Sequence, residues 1–258
     1  MTRGSGSRAH LSSACNRSLW DKTARGRARD VNREKVIAVF AHPDDETFIC
    51  GGILARYAAL GADVTLVCAT LGEMGRRMGV PPIGDRESIG AIRQRELEEA
   101  ARALNLSRVK RLGYRDKTLE IIPRTELVSR LDAIFEEIEP TVVLTFHPER
   151  GGHNDHCAIG EAATEAAERW FQKNASLALY YITFANGEKR QETFRAMQLN
   201  HEAHDVSAYL QQKLEAFRAH RTQSGLHRAL WGSAKQAKQS LSATEFVWRV
   251  SFSPHSKV

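Results

Sequence analysis

The chain has 258 residues, 42% hydrophobic and 26% charged, the profile of a soluble globular protein large enough for one sizeable core. No apolar run approaches the length of a membrane-crossing helix, and four scattered cysteines without a Cys-x-x-Cys pair argue against a disulfide framework and for reduced thiols in a cytoplasm. The net charge of +6 is concentrated in residues 1–34, with eight Lys/Arg against three Asp/Glu, while the remaining chain holds 29 against 28, too even for a nucleic-acid-binding body.

Gly, Ser, Arg and Ala dominate residues 1–34 without hydrophobic periodicity, so a disordered basic extension is expected there, solvated or arising from a misassigned start codon. One domain then spans 35–258. Residues 36–40 are apolar and rich in β-branched side chains, the pattern of a buried strand in a parallel sheet, and Pro43 stops it. A helix over 48–60, a strand over 64–69 and a glycine-rich loop over 70–82 follow, the loop placed as a binding loop at a strand's carboxyl end. Residues 88–104 read as an amphipathic helix on which Arg93 and Glu96 share a face, able to pair or to reach a site. Next come a short strand at 109–112, a helix at 127–138 ended by Pro140, a buried strand at 141–146 and a helix at 157–170. A strand at 177–183, a helix at 207–220 and a strand at 245–252 complete the series. Strands and helices alternating at this spacing specify an α/β fold, a doubly wound sheet with helices on both faces.

Two clusters carry the chemistry. His42-Pro43-Asp44-Asp45-Glu46 follows the first strand, and His153-Asn154-Asp155-His156 follows the strand at 141–146. Buried carboxylates repel one another unless a cation gathers them, and His with Asp is a ligand set for a divalent metal such as zinc. Ligands bind at the carboxyl ends of strands in open α/β sheets, so neighbouring strands would bring the two clusters to one point. A polar turn that only caps a helix explains one such cluster but not two in matching contexts. Ala219-His220-Arg221-Thr222-Gln223 reads as a polar cap after a helix, and as another side of the pocket.

Residues 41–46 (Ala-His-Pro-Asp-Asp-Glu), 70–75 (Thr-Leu-Gly-Glu-Met-Gly) and 153–156 (His-x-Asp-His) resemble the zinc-dependent N-acetylglucosaminide deacetylases of the LmbE/PIG-L family, over about residues 36–159. The wording of 70–76, 115–118 and 219–223 is similar to the second (B2) type of deacetylase in bacillithiol biosynthesis. The resemblance implies a Rossmann-like, LmbE-like fold with a mainly parallel sheet and one Zn2+ per chain, or another divalent ion in its place. It implies His42, Asp45 and His156 as metal ligands and Asp44 as general base. His153 would stabilise the oxyanion or protonate the leaving amine, with Asp155 orienting it. It places Arg93 and Asp116 in sugar binding, and Arg76, Arg115 or Arg221 could receive the carboxylates of a malate aglycone. Some relatives carry an aromatic hydroxyl where Gly151 stands, and many carry proline where Asn154 stands.

The expected activity is metal-dependent removal of the N-acetyl group from an N-acetylglucosaminide with an anionic aglycone, N-acetylglucosaminyl-malate above all. The alternatives are a hydrolase of another N-acyl amino sugar or related small amide, and a non-catalytic metal-binding α/β protein. A homo-oligomer is compatible with the sequence. A dinucleotide-binding module is not, because no Gly-x-Gly-x-x-Gly follows the first strand.

Overall fold

The computed structural model describes residues 34–182 and 199–252. Apart from Glu34, the expected N-terminal extension lies outside them. Strands form where the sequence is apolar on both faces: β1 (Lys35–Phe40), β2 (Asp63–Cys68) and β4 (Val142–Phe146) are buried over nearly their whole length. Burial of that kind belongs to a sheet covered on both sides. With β3 (Arg108–Arg111), β5 (Ala178–Ile182), β6 (Asn200–Asp205) and β7 (Thr244–Val250) they build one sheet in the order β3-β2-β1-β4-β5-β7-β6. The first five strands pair in parallel, with Val36 opposite Val64 on one side and Val142 on the other. The strand β7 pairs antiparallel with both β5 and β6.

The order runs outward from β1 to β3 and then restarts on the other side of β1 with β4. Right-handed crossovers therefore place α1 (Asp45–Ala59) and α2 (Ile89–Ala103) on one face and α3 (Arg124–Ile138) and α4 (Asn154–Lys173) on the other. Packing follows this division: α5 (Leu210–Ala219) lies against α1 and α2, and α3 lies against α4. The mainly parallel, doubly wound sheet is the one the sequence specifies. The crevice between the carboxyl ends of β1 and β4 is its switch point, where open α/β sheets bind ligands. No helix among the described residues is long and apolar enough to cross a membrane.

Several boundaries differ from expectation. The helix expected from residue 48 starts at Asp45, so the acidic cluster is itself the first turn of α1. That helix is broken at Cys50 (φ −142°, ψ 21°), and the N–H groups of Gly52 and Ile53 donate instead to the buried Glu245 carboxylate on β7, at 2.9 and 2.7 Å. Lys213 on α5 pairs with the same carboxylate at 2.7 Å. Likewise α4 starts at Asn154, putting Asp155 and His156 in its first turn. The helix expected over 207–220 is a 3-10 turn (Ser207–Tyr209) followed by α5. Among the elements that carry no sequence signal are β6 and α7 (Ala234–Ser240). In β6 the strand Asn-His-Glu-Ala-His-Asp has no apolar alternation, and α7, beyond the four-residue α6 (Arg221–Ser224), is short and polar.

Candidate active site

At the switch point three donor atoms converge. His42 Nδ1 lies 3.2 Å from His156 Nε2 and 3.6 Å from Asp45 Oδ2, and His156 Nε2 lies 3.3 Å from Asp45 Oδ1. Each imidazole is held by its outer nitrogen. His156 Nδ1 is 3.1 Å from the Gly151 carbonyl, and the ring stacks on Phe146 at the end of β4 with centroids 4.0 Å apart. A side chain at position 151 would meet His156 Cβ at 2.7 Å, so the glycine lets its own carbonyl reach the ring. His42 Nε2 lies 3.0 Å from Asp116 Oδ1 and 3.2 Å from Asp155 Oδ2. Hydrogen bonds of this kind fix tautomer and ring orientation in metal-ligating histidines.

The electrostatics call for a cation. Burial works against protonation of His42, yet Asp116, Asp155 and Asp45 outweigh it and pull the imidazole up to about 11. Burial would likewise raise Asp45, but His156 and His42 hold it well below the usual carboxylate range. The surplus of buried carboxylate is what a divalent ion neutralises, and two histidines with an aspartate are a donor set for one. Two other groups, His42 with Asp116 and Asp155 and His42 with His153 and His156, have their ligand atoms within 4.8 Å of one another. The former surrounds the nitrogen opposite the converging donors. Asp155 is already occupied there by the N–H groups of Lys117 and Leu119, at 2.7 and 3.1 Å, and Asp116 by that of Met74 at 2.8 Å. These carboxylates anchor His42 to the chain rather than make a second centre.

Asp44 stands beside the converging donors in the left-handed region, φ 105° and ψ −28°, a conformation a non-glycine residue holds only when its surroundings impose it. Arg93 supplies part of that constraint. Its Nη2 donates to the Pro43 carbonyl and lies 3.2 Å from Asp44 Oδ2, while Nη1 donates to the Gly72 carbonyl at 2.7 Å. Gly72 has φ +62°, and a Cβ there would sit 1.9 Å from Nη1, so the loop gives way to the guanidinium. Burial pushes the Asp44 carboxyl up to about 6 against the pull of Arg93. The carboxylate remains partly accessible, as a proton acceptor must be.

His153 caps α4: its Nδ1 accepts the Asp155 N–H at 3.2 Å. The acceptor role leaves the ring proton on Nε2, and burial with the neighbouring His42 and His156 keeps the imidazole below its ordinary pKa. Asp155 is expected from the sequence to orient His153. The contact runs through the Asp155 backbone, and its carboxylate serves His42.

The remaining expected residues divide. Arg93 and Asp116 are buried and committed to Asp44 and His42. Arg93 does not pair with Glu96, whose carboxylate accepts from Thr222 N and Oγ1 at 2.8 and 2.5 Å. Arg76, Arg115 and Arg221 are exposed and make no ion pair among the described residues, with Arg115 reaching Met74 Sδ at 3.5 Å. The glycine-rich loop is tied to the 219–223 segment, Gly79 N donating to the Thr222 carbonyl at 3.2 Å and Arg77 Nη1 to that of Gln223 at 3.0 Å. No role is expected from the sequence for Glu245, or for Glu46 beyond its place in the acidic cluster; a carboxylate in a mostly apolar strand is the available signal at Glu245.

The PIG-L family model, described as GlcNAc-PI de-N-acetylase, matches residues 37–167. The chain is 39% identical over 192 residues to the probable N-acetyl-alpha-D-glucosaminyl L-malate deacetylase 2 of Bacillus anthracis, covering 74% of this chain and 82% of that protein. It is 31% identical over 253 residues to the 1D-myo-inositol 2-acetamido-2-deoxy-alpha-D-glucopyranoside deacetylase of Saccharomonospora viridis, covering 82% and 93% respectively. The solved N,N'-diacetylchitobiose deacetylase from Pyrococcus horikoshii matches 95% of this chain and 94% of its own with a TM-score of 0.63, a likeness of fold at 22% identity.

Proposed function

Because the chain belongs to the PIG-L family of GlcNAc-PI de-N-acetylases, we propose that it hydrolyses the N-acetyl group of N-acetylglucosaminyl-malate, a step of bacillithiol biosynthesis. The observation that carries the reading is the convergence of His42 Nδ1, His156 Nε2 and the Asp45 carboxylate, with Asp44 beside them and outside the donor set. His42, Asp45 and His156 would hold one Zn2+, in the arrangement of three protein donors typical of catalytic sites. When bound, the ion would supply Lewis acidity, polarising the acyl carbonyl and acidifying the attacking water.

The chain's own residues do the rest. Asp44 takes a proton from the attacking water and returns it to the nitrogen as the amide C–N bond breaks, giving acetate and the free amine. His153 donates from Nε2–H to the oxygen of the tetrahedral intermediate, which the bond at Nδ1 favours over a role as proton donor to the amine. Arg93 holds Asp44 in place and Asp116 holds His42, so any contact of theirs with the sugar adds to a structural duty. Arg76, Arg115 and Arg221 are free to meet the aglycone's carboxylates. The free thiols of Cys50, Cys68 and Cys157 suit a cytoplasmic enzyme.

The test is release of amine and acetate from N-acetylglucosaminyl-malate by metal-loaded protein, beside N-acetylglucosamine and a chelator-treated control. Turnover of the malate glycoside that stops on chelation is expected. Equal turnover of all N-acetylglucosaminides would remove the malate assignment, and turnover that survives metal removal would remove the mechanism.

A further inference from the structure

The strained residue Asp44 is held from a second side, by a pair that plays no part in the chemistry described so far. Glu46 and His220 are both fully buried, and His220 Nε2 lies 2.6 Å from Glu46 Oε1. The same oxygen accepts from Thr47 Oγ1 at 2.6 Å. The other, Oε2, accepts the backbone N–H of Asp44 at 3.1 Å. The Asp44 carbonyl meanwhile takes the N–H groups of Thr47 and Phe48 at 3.1 and 2.9 Å. Both peptide groups flanking the left-handed φ are thus tied down, one of them by a carboxylate whose own direction is set by His220.

His220 sits between α5 and α6, and among the described residues its imidazole has Glu46 as its one polar partner. Its place is fixed from outside: the following turn is anchored by the two bonds from Thr222 to Glu96 on α2. Glu46 is fully buried, and the His220 imidazole fixes the direction of the carboxylate that receives the Asp44 N–H.

We propose that His220 is a positioning residue for the hydrolytic step: through Glu46 it holds the Asp44 backbone in the left-handed conformation that aims its carboxylate at the reacting water. The inference rests on the reading of Asp44 as general base. A base displaced by a fraction of an ångström loses rate without losing metal, because His42 and His156 are anchored independently through Asp116, Asp155 and Gly151, and the Asp45 carboxylate accepts the His42 backbone N–H.

The experiment measures kcat, KM, bound metal and Tm for metal-loaded H220A, H220Q, the double variant E46L/H220L, D44N and D44N/H220A. In H220A and in E46L/H220L, kcat is expected to fall roughly ten- to a hundredfold while KM and metal content hold. The double variant refills the space with apolar side chains, so it still reports if H220A does not fold. H220Q, whose amide nitrogen can donate from the position of Nε2, is expected to recover most of the loss. In the D44N background H220A should cost nothing further. A folded, metal-loaded H220A or E46L/H220L with parental kcat overturns the proposal, and so does an equal proportional loss with and without Asp44. Near-parental kcat in D44N would instead refute Asp44 as the base, a result separable from these.

Discussion

Asp155 Oδ2 lies 3.2 Å from His42 Nε2, on the side of the imidazole turned away from Asp45 and His156. The carboxylate is itself fixed by the N–H groups of Lys117 and Leu119. The His-x-Asp-His motif thus serves two histidines at once: its last residue offers a donor atom, and its aspartate orients the histidine that the other motif brings. Loss of such an orienting partner costs metal affinity by about 10–100-fold. Asp155→Asn is therefore expected to weaken metal binding by that order in chelator competition, and His42→Ala or His156→Ala to abolish it. Full metal affinity in Asp155→Asn would show that the contact orients nothing that matters.

Asp44→Asn separates base from ligand. The metal should stay and kcat should fall by about 10²–10⁴-fold, the span of general-base contributions. The same residue predicts a pH limb. A base acts ionised, so activity is lost as pH drops through its pKa. Burial raises the Asp44 carboxyl to about 6 in the metal-free chain, and a nearby divalent cation would lower it. The acid limb of kcat/KM should accordingly lie no higher than about 6, and Asp44→Asn should abolish it.

His153 is tested by which substitution it tolerates. With Nδ1 accepting a backbone N–H, the working atom is Nε2–H. His153→Ala should lose about 10²–10³-fold in kcat, as loss of one oxyanion donor does. His153→Gln, which keeps a donor near Nε2, should lose less. Equal losses in the two variants would favour a proton-donating role that an amide cannot fill.

The chemistry was legible in the sequence because both clusters follow buried apolar strands, and the strand order makes those strands neighbours. What could not be read was which residue supports which. Glu46 meets His220 across 174 positions, and Glu245 reaches the break in α1 across 193. Neither pairing leaves a local pattern, since each partner sits in its own element for unrelated reasons. Arg93 and Asp116 likewise had assigned roles in sugar binding but not the contacts to Asp44 and His42 that bury them.

Residues 1–34 hold most of the net charge and no apolar periodicity. We propose that the catalytic domain is complete without them. Deletion of the segment should leave Tm and kcat/KM unchanged, since nothing in its composition offers a face to bury. A large drop in either would place an ordered element there.

Exposed arginine charge gives the last prediction. Arg76 follows β2, Arg115 follows β3 and Arg221 follows α5; all three are exposed, and none is paired with a carboxylate among the described residues. Exposed arginines are ordinarily solvated and contribute little, so each alone argues for nothing. Three unpaired arginines following three different elements would suit a dicarboxylate aglycone. A bidentate arginine–carboxylate contact in a partly closed site contributes on the order of 1.5–3 kcal/mol. Removal of one such contact should lower kcat/KM by roughly ten- to a hundredfold. The loss should appear with N-acetylglucosaminyl-malate and be nearly absent with N-acetylglucosamine or an uncharged inositol glycoside, which have no carboxylate to lose. Arg76→Ala, Arg115→Ala and Arg221→Ala should each be compared on all three substrates. A loss that is the same on each would mean that the arginine acts on the fold or on the sugar. A loss confined to the malate glycoside would identify it as the group that reads the aglycone.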